Sequence, residues 1–152
     1  MGNNDDKKNM NINCVCDVVN FINELQDCAT STCPTGCDVP FLGAHQGSRL
    51  ANTRPFVLFT SEGDPFRVFI ASAGHDKKCF SDIFRVESVD DCCAVLRALE
   101  VHNPNPGDCE EPVCVFLNHP NATLQATNSV VTVDLNCFCA IQCLRDAHVS
   151  GV

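Results

Sequence analysis

The sequence contains no tryptophan and no tyrosine, and its aromatic residues are ten phenylalanines. Any core must therefore be built from Phe, Val, Leu and Ile. Positive charge is scarce: ten Lys and Arg against 19 Asp and Glu give a net charge of −9 and a pI near 4.7. Nucleic-acid and anionic-membrane binders need clustered Lys and Arg, so neither partner is expected. No apolar run approaches the roughly 20 residues of a membrane-spanning helix. The first ten residues, MGNNDDKKNM, lack the apolar core of a secretory signal, and Asp6 stands where a myristoylation motif wants Ser or Thr. Synthesis in a reducing cytosol is the expectation. Also missing is any C-x2-C pair, the unit from which zinc knuckles and redox-active dithiols are made.

What is abundant is cysteine, 13 of 152 residues, in a chain whose 45% hydrophobic and 19% charged content is that of an ordinary globular domain. Cytosolic chains seldom carry disulfides, and cysteine-rich ones more often bind metal. The thiolates available for a metal are Cys137-x-Cys139-x3-Cys143, Cys33-x3-Cys37, Cys14-x-Cys16 and the vicinal pair Cys92 and Cys93. None has the spacing of a structural zinc site, and no two histidines lie closer in sequence than His102 and His119. His45, His75, His102, His119 and His148 sit in loop-like or terminal contexts that give no cysteine a general base. Asp90-Asp91 and Glu110-Glu111 border loops, where solubility is the simpler role. No catalytic residue, cofactor or metal is therefore expected. A zinc-binding cytosolic protein and a thiol enzyme remain the alternatives. Thirteen is also odd, so full pairing within one chain is impossible. Thirteen are too many to be only small core residues. These facts fit a building block that self-associates while reduced and is locked later by oxidation.

The expected fold is mainly β (α+β): an antiparallel β-sandwich or partly open barrel with one N-terminal helix. Residues 1–13 read as a disordered tail, 14–146 as a single domain and 147–152 as a C-terminal tail. From Cys14 to Thr30, Val15, Val18, Ile22 and Leu25 recur at steps of three and four, which makes a helix with Asn13 as N-cap. Residues 33–37 form a Pro- and Gly-containing loop, and a longer loop runs from 38 to about 53. Segments 54–60 and 65–71 read as strands flanking a Ser-Glu-Gly-Asp turn. Residues 81–88 alternate as a half-buried strand. Residues 92–101 fit a strand hairpinned to it through 89–91 better than a short helix. Residues 103–108 are a loop by composition, 113–117 a short strand and 118–121 a turn. From Val131 onward the odd positions are apolar or Cys, so one strand would bury Val131, Val133, Leu135, Cys137, Cys139, Ile141 and Cys143.

That pattern assigns roles to the thiols. Cys137, Cys139 and Cys143 are expected to point inward and stay within one chain, as is Cys92. Cys93 would take the opposite face with Arg97. Cross-links between chains need exposed or mobile thiols, because a disulfide holds its Cα atoms about 4.4–6.8 Å apart. The candidates are Cys14 and Cys16 first, then Cys109, Cys79 and Cys33.

Several longer motifs add a resemblance. FLGAH at 41–45, ANTRPF at 51–56, IFRVESVDD at 83–91, CAVLR at 93–97 and VDLNCFCAIQCLR at 133–145 resemble the CotY/CotZ/ExsY family of bacterial spore coat and exosporium proteins. The likeness runs from about 13 to 146, and residues 18–28 look closest to the exosporium members. It implies a non-enzymatic structural protein, made in the mother-cell cytosol and placed at the spore surface. Its partners would be copies of itself, as hexamers in a two-dimensional hexagonal sheet, and further outer-layer proteins. Disulfides would cross-link the sheet after oxidation.

Overall fold

The computed structural model describes residues 13–30, 51–71, 79–103 and 111–152. Helix α1 is Cys14–Thr30, as the periodicity requires. Asn13 caps it, its Oδ1 accepting from the Cys16 amide at 2.8 Å. Val15, Val19, Ile22 and Leu25 form the buried stripe, while Asp17, Glu24 and Asp27 face out. The strands are β1 Phe56–Thr60, β2 Val68–Phe69, β3 Phe80–Ser81, β4 Phe84–Asp90, β5 Cys93–His102, β6 Thr123–Asp134, β7 Phe138–Cys143 and β8 Val149–Ser150. A second helix, α2, is Pro112–Asn118, and a 3-10 turn spans Leu135–Cys137.

Six strands form one sheet in the order β7-β1-β4-β5-β6-β8, antiparallel throughout except for the parallel β6–β8 pair. Register irregularities at Phe59/Thr60, Val86/Ser88 and Arg97/Leu99 bend the strands. The sheet curls into a half-barrel. Of the two expected forms it thus takes the partly open barrel, and β2 and β3 make a separate two-stranded piece.

Strand alternation sends side chains to two cores. Phe56, Leu58, Phe84, Val86, Leu96 and Val133 meet Val15, Val19 and Ile22 of α1 on one face. Val57, Ile83, Leu99, Leu124 and Leu144 meet Val115 and Phe116 of α2 on the other. Polar ties hold the layers in register. Buried Gln26 donates to the Val86 carbonyl (3.1 Å) and accepts from the Arg54 amide (3.0 Å), joining α1 to β4 and to the entry of β1. Arg54 grips Asp146 with two bonds, at 2.7 and 3.0 Å. Buried Arg85 donates to Thr53 Oγ1 (3.0 Å) and to Glu87 (3.2 Å), and Glu87 also receives Arg97 at 2.9 Å.

Four expectations are corrected. Residues 113–117 are helical: Pro112 opens the first turn, where its missing N–H costs nothing. Arg145 then lies 3.8 Å over the Phe116 ring and donates to the Phe116 and His119 carbonyls, satisfying the helix's C-terminal end. There are accordingly two α-helices among the described residues. Segment 65–71 contributes only Val68–Phe69, which pairs with β3, although Pro65 still bridges Phe59. Residues 81–88 are split between β3 and β4. The final segment is also broken. β6 starts at Thr123, ends at Asp134, and Asp134 Oδ1 accepts from the Asn136 amide (2.9 Å), turning the chain before β7 begins. The hairpin from β4 to β5 is present, with Asp90 facing Cys93 and the turn at Asp91 and Cys92, Asp91 having a φ of 60°. Past the boundary expected at Asp146, Ala147 bridges Thr53 and Val149 is buried against β6. The expected tail 1–13, apart from Asn13, and the loops over 33–50 and 104–108 lie outside the described residues.

Candidate functional site

The chemistry-bearing side chains of this chain are its cysteines, and the fold divides them into two groups. Cys16, in the first turn of α1, is disulfide-bonded to Cys92 of the β4–β5 turn, with Cα atoms 5.4 Å apart across 76 residues of sequence. The bond fastens the start of the helix to the end of the sheet. Asn20 adds to the same junction by donating to the Asp91 carbonyl at 3.3 Å. Cys28 and Cys114 are disulfide-bonded too. The second group is exposed: Cys14, Cys93, Cys137, Cys139 and Cys143 are reduced thiols at the surface, and Cys79 is exposed just before β3.

This division departs from the sequence reading in two places. Cys16 was expected among the interchain candidates, yet it is 4% exposed and bonded within its own chain. Its signal was present: Cys16 precedes Val19 by three residues and Asn20 by four, so it falls on the inner flank of the α1 stripe. Cys137, Cys139 and Cys143 were expected inside, yet all three are exposed. The 3-10 turn and the irregular register at Phe59/Thr60 bring Phe138 to the core in place of Cys137 and Cys139. Ile141 keeps its expected side opposite Leu58, and Cys143 shares that side opposite Phe56 but is exposed in the edge strand. Cys139 Sγ, at the irregularity, donates to the Thr60 carbonyl at 3.0 Å. Cys92 packs against the core that α1 covers, and Cys93 is exposed beside it. Cys14 and Cys79 are exposed. Cys33, Cys37 and Cys109 lie outside the described residues.

Cys143 has the most defined electrostatic setting. It pairs with Phe56 across β1–β7, beside the Arg54–Asp146 ion pair. Partial burial of its sulfur raises the thiol above its ordinary pKa, Arg54 opposes that shift and Asp146 adds to it. The thiolate is therefore disfavoured in the folded chain. We expect iodoacetamide at pH 9 to alkylate Cys143 more slowly in the folded protein than in the urea-unfolded chain. A raised folded pKa also means that this group's contribution to stability is complete below the unfolded value and is lost as pH rises through the folded one. Alkylation at equal rates in the two states would contradict this setting.

Among the described residues, no three of His, Cys, Asp and Glu converge as a metal site. No described helix is long and apolar enough to cross a membrane. What the site offers is a rigid, internally bonded subunit whose unused thiols face outward.

The described residues thus form a helix-packed half-barrel whose reduced thiols face outward. The family model for spore coat protein Z matches residues 1–146. The spore coat protein Z of Bacillus subtilis (strain 168) is 35% identical over 138 residues, covering 87% of this chain and 88% of that protein. The chain belongs to the spore coat protein Z (CotY/CotZ) family. No solved structure matches it.

Proposed function

We propose that this protein is a structural component of the spore surface, a building block and not an enzyme. Copies made in the mother-cell cytosol associate through non-covalent contacts, as hexamers in a two-dimensional hexagonal sheet of the coat or exosporium. Oxidation then locks the sheet by disulfides between copies, and further outer-layer proteins attach to it. Family membership supports the coat role. The observation that carries the cross-linking is the exposure of Cys14, Cys93, Cys137, Cys139 and Cys143 as reduced thiols on a subunit whose Cys16 and Cys92 are bonded to each other. Cys14 and Cys79 stay among the interchain candidates. The order of events follows from compartment: cytosolic thiols are held reduced, so assembly must precede bonding.

A variant with Cys14, Cys79, Cys93, Cys137, Cys139 and Cys143 all changed to Ser tests this order. It should assemble like the parent and lose resistance to heat and detergent after air oxidation. If it stayed monomeric at concentrations where the parent assembles, disulfides would be the cause of assembly and not its lock.

A further inference from the structure

The strand order β7-β1-β4-β5-β6-β8 leaves an edge at each end of the sheet. Edge strands present unpaired backbone N–H and C=O groups, and folded proteins usually blunt them. Both terminal strands are blunted here. β8 is clamped by a side chain that imitates a strand: Asn52 Oδ1 accepts from the Val149 amide at 2.9 Å, and Asn52 Nδ2 donates to the Val149 carbonyl at 3.2 Å. β7 carries the register irregularity at Phe59/Thr60, which twists its edge, and it ends beside the Arg54–Asp146 ion pair.

β6 is different. β8 pairs with only Leu124 and Gln125 of its 12 residues, which leaves the half from Val130 to Asp134 at an open edge. The register says which groups face outward. The Leu135 amide donates to the Cys92 carbonyl, while Asp134, Thr132 and Val130 stand opposite Cys93, Val95 and Arg97. Antiparallel pairs alternate between bonded and non-bonded, so Val131 and Val133 bond to β5. The amides and carbonyls of Val130, Thr132 and Asp134 point away from it. The side chains of these three are exposed. Residues 123–133 contain no ionisable residue, no proline and no glycine, and the carboxylate of Asp134 is turned onto the Asn136 amide.

We infer that Val130–Asp134 pairs edge to edge with the same segment of a second copy of this chain, antiparallel across a two-fold axis. The inference rests on the assembly proposed above and names a non-covalent contact for it. Such a contact is isologous, so each edge accepts what the other donates. Centred on Thr132, it sets Val130 against Asp134 of the second copy at either end and Thr132 against its equivalent. All three outward residues are then used, and the two carboxylates lie at opposite ends. Val131 and Val133, at the margin of the core under α1, meet Val133 and Val131 of the second copy, which continues the apolar layer across the axis. Charge favours this place as well. Copies carrying −9 each repel one another, and along this edge they meet without opposing like charges.

The test uses full-length protein in reductant. Thr132→Pro removes an amide that the subunit's own ladder does not use, so the variant should melt like the parent and lose its sheets. Thr132→Lys and Thr132→Glu make the same test without a change of backbone. Each alone sets like charges opposite one another across the axis and should sediment as smaller particles than the parent. An equimolar mixture of the two should recover the parent's sedimentation. In the parent, hydrogen exchange in the peptide 128–134 should slow as concentration is raised into the assembling range. Variants that assemble like the parent, or a mixture no better than either component, overturn the edge contact and leave the assembly standing. Slowed exchange in β7 together with β6 marks a head-to-tail contact and overturns the two-fold one. A parent that is monomeric at every concentration in reductant rejects the assembly and the edge contact with it.

Discussion

Cys92→Ser should lower the stability of the oxidised subunit by about 4 kcal/mol, because the lost bond closes a loop long enough to constrain the unfolded chain strongly. The loop spans 76 residues and includes most of α1 and the first four strands. For a domain of this size the loss corresponds to a fall in Tm of roughly 10 °C. The substitution also strands Cys16 as a thiol in an almost fully buried position. Thermal melting should show the gap between parent and variant under oxidising conditions and see it largely close in reductant, where both lack the bond. A gap of the same size with and without reductant would mean that the residue acts through packing and not through the cross-link.

Phe84→Ala should cost about 4 kcal/mol in urea unfolding, the range for deleting a fully buried aromatic ring. Phe84 is 0% exposed where β1, β4 and β5 meet, paired with Phe56 on one side and Ala98 on the other. Its ring stacks on Phe66 at 5.7 Å between centroids, and Phe66 in turn meets Phe138 edge-on at 5.1 Å. With no Trp or Tyr in the chain, this phenylalanine row supplies the bulk that closes the half-barrel over α1. Phe69→Ala makes the comparison: that ring is 75% exposed and touches Phe80, so its removal should cost well under about 1 kcal/mol. Equal costs at the two positions would contradict the assignment of the core.

The parts of the fold that could be read in the sequence are those where one local rule acted alone. Helix α1 has a 3.6-residue stripe and an Asn cap, and the β4–β5 hairpin has a period of two on both sides of Asp91. Where two rules compete, sequence reading fails. Residues 113–117 are apolar and short enough to suit a strand, but Pro112 and the guanidinium of Arg145 make a helix of them. The run from Val131 keeps an alternating pattern across a turn that Asp134 creates and an irregular register at Phe59/Thr60, so that Phe138 reaches the core while Cys137 and Cys139 are exposed. Cys137 and Cys139 follow these irregularities, Cys143 keeps the side of Ile141 but is exposed in the edge strand, and Cys16 lies on the inner flank of α1. The junction of the helix start with the 3-10 turn is a tertiary contact that no spacing in the sequence encodes: Asn13 and Asn136 bond across 123 residues.

The claim that copies of this chain assemble before any disulfide joins them is tested most directly by electron microscopy of the purified full-length protein kept in reductant. The account predicts ordered sheets or rings of hexagonal symmetry that dissolve in detergent, and that resist it only after oxidation. A reduced protein that remains monomeric at high concentration, and forms particles only once oxidised, would contradict it.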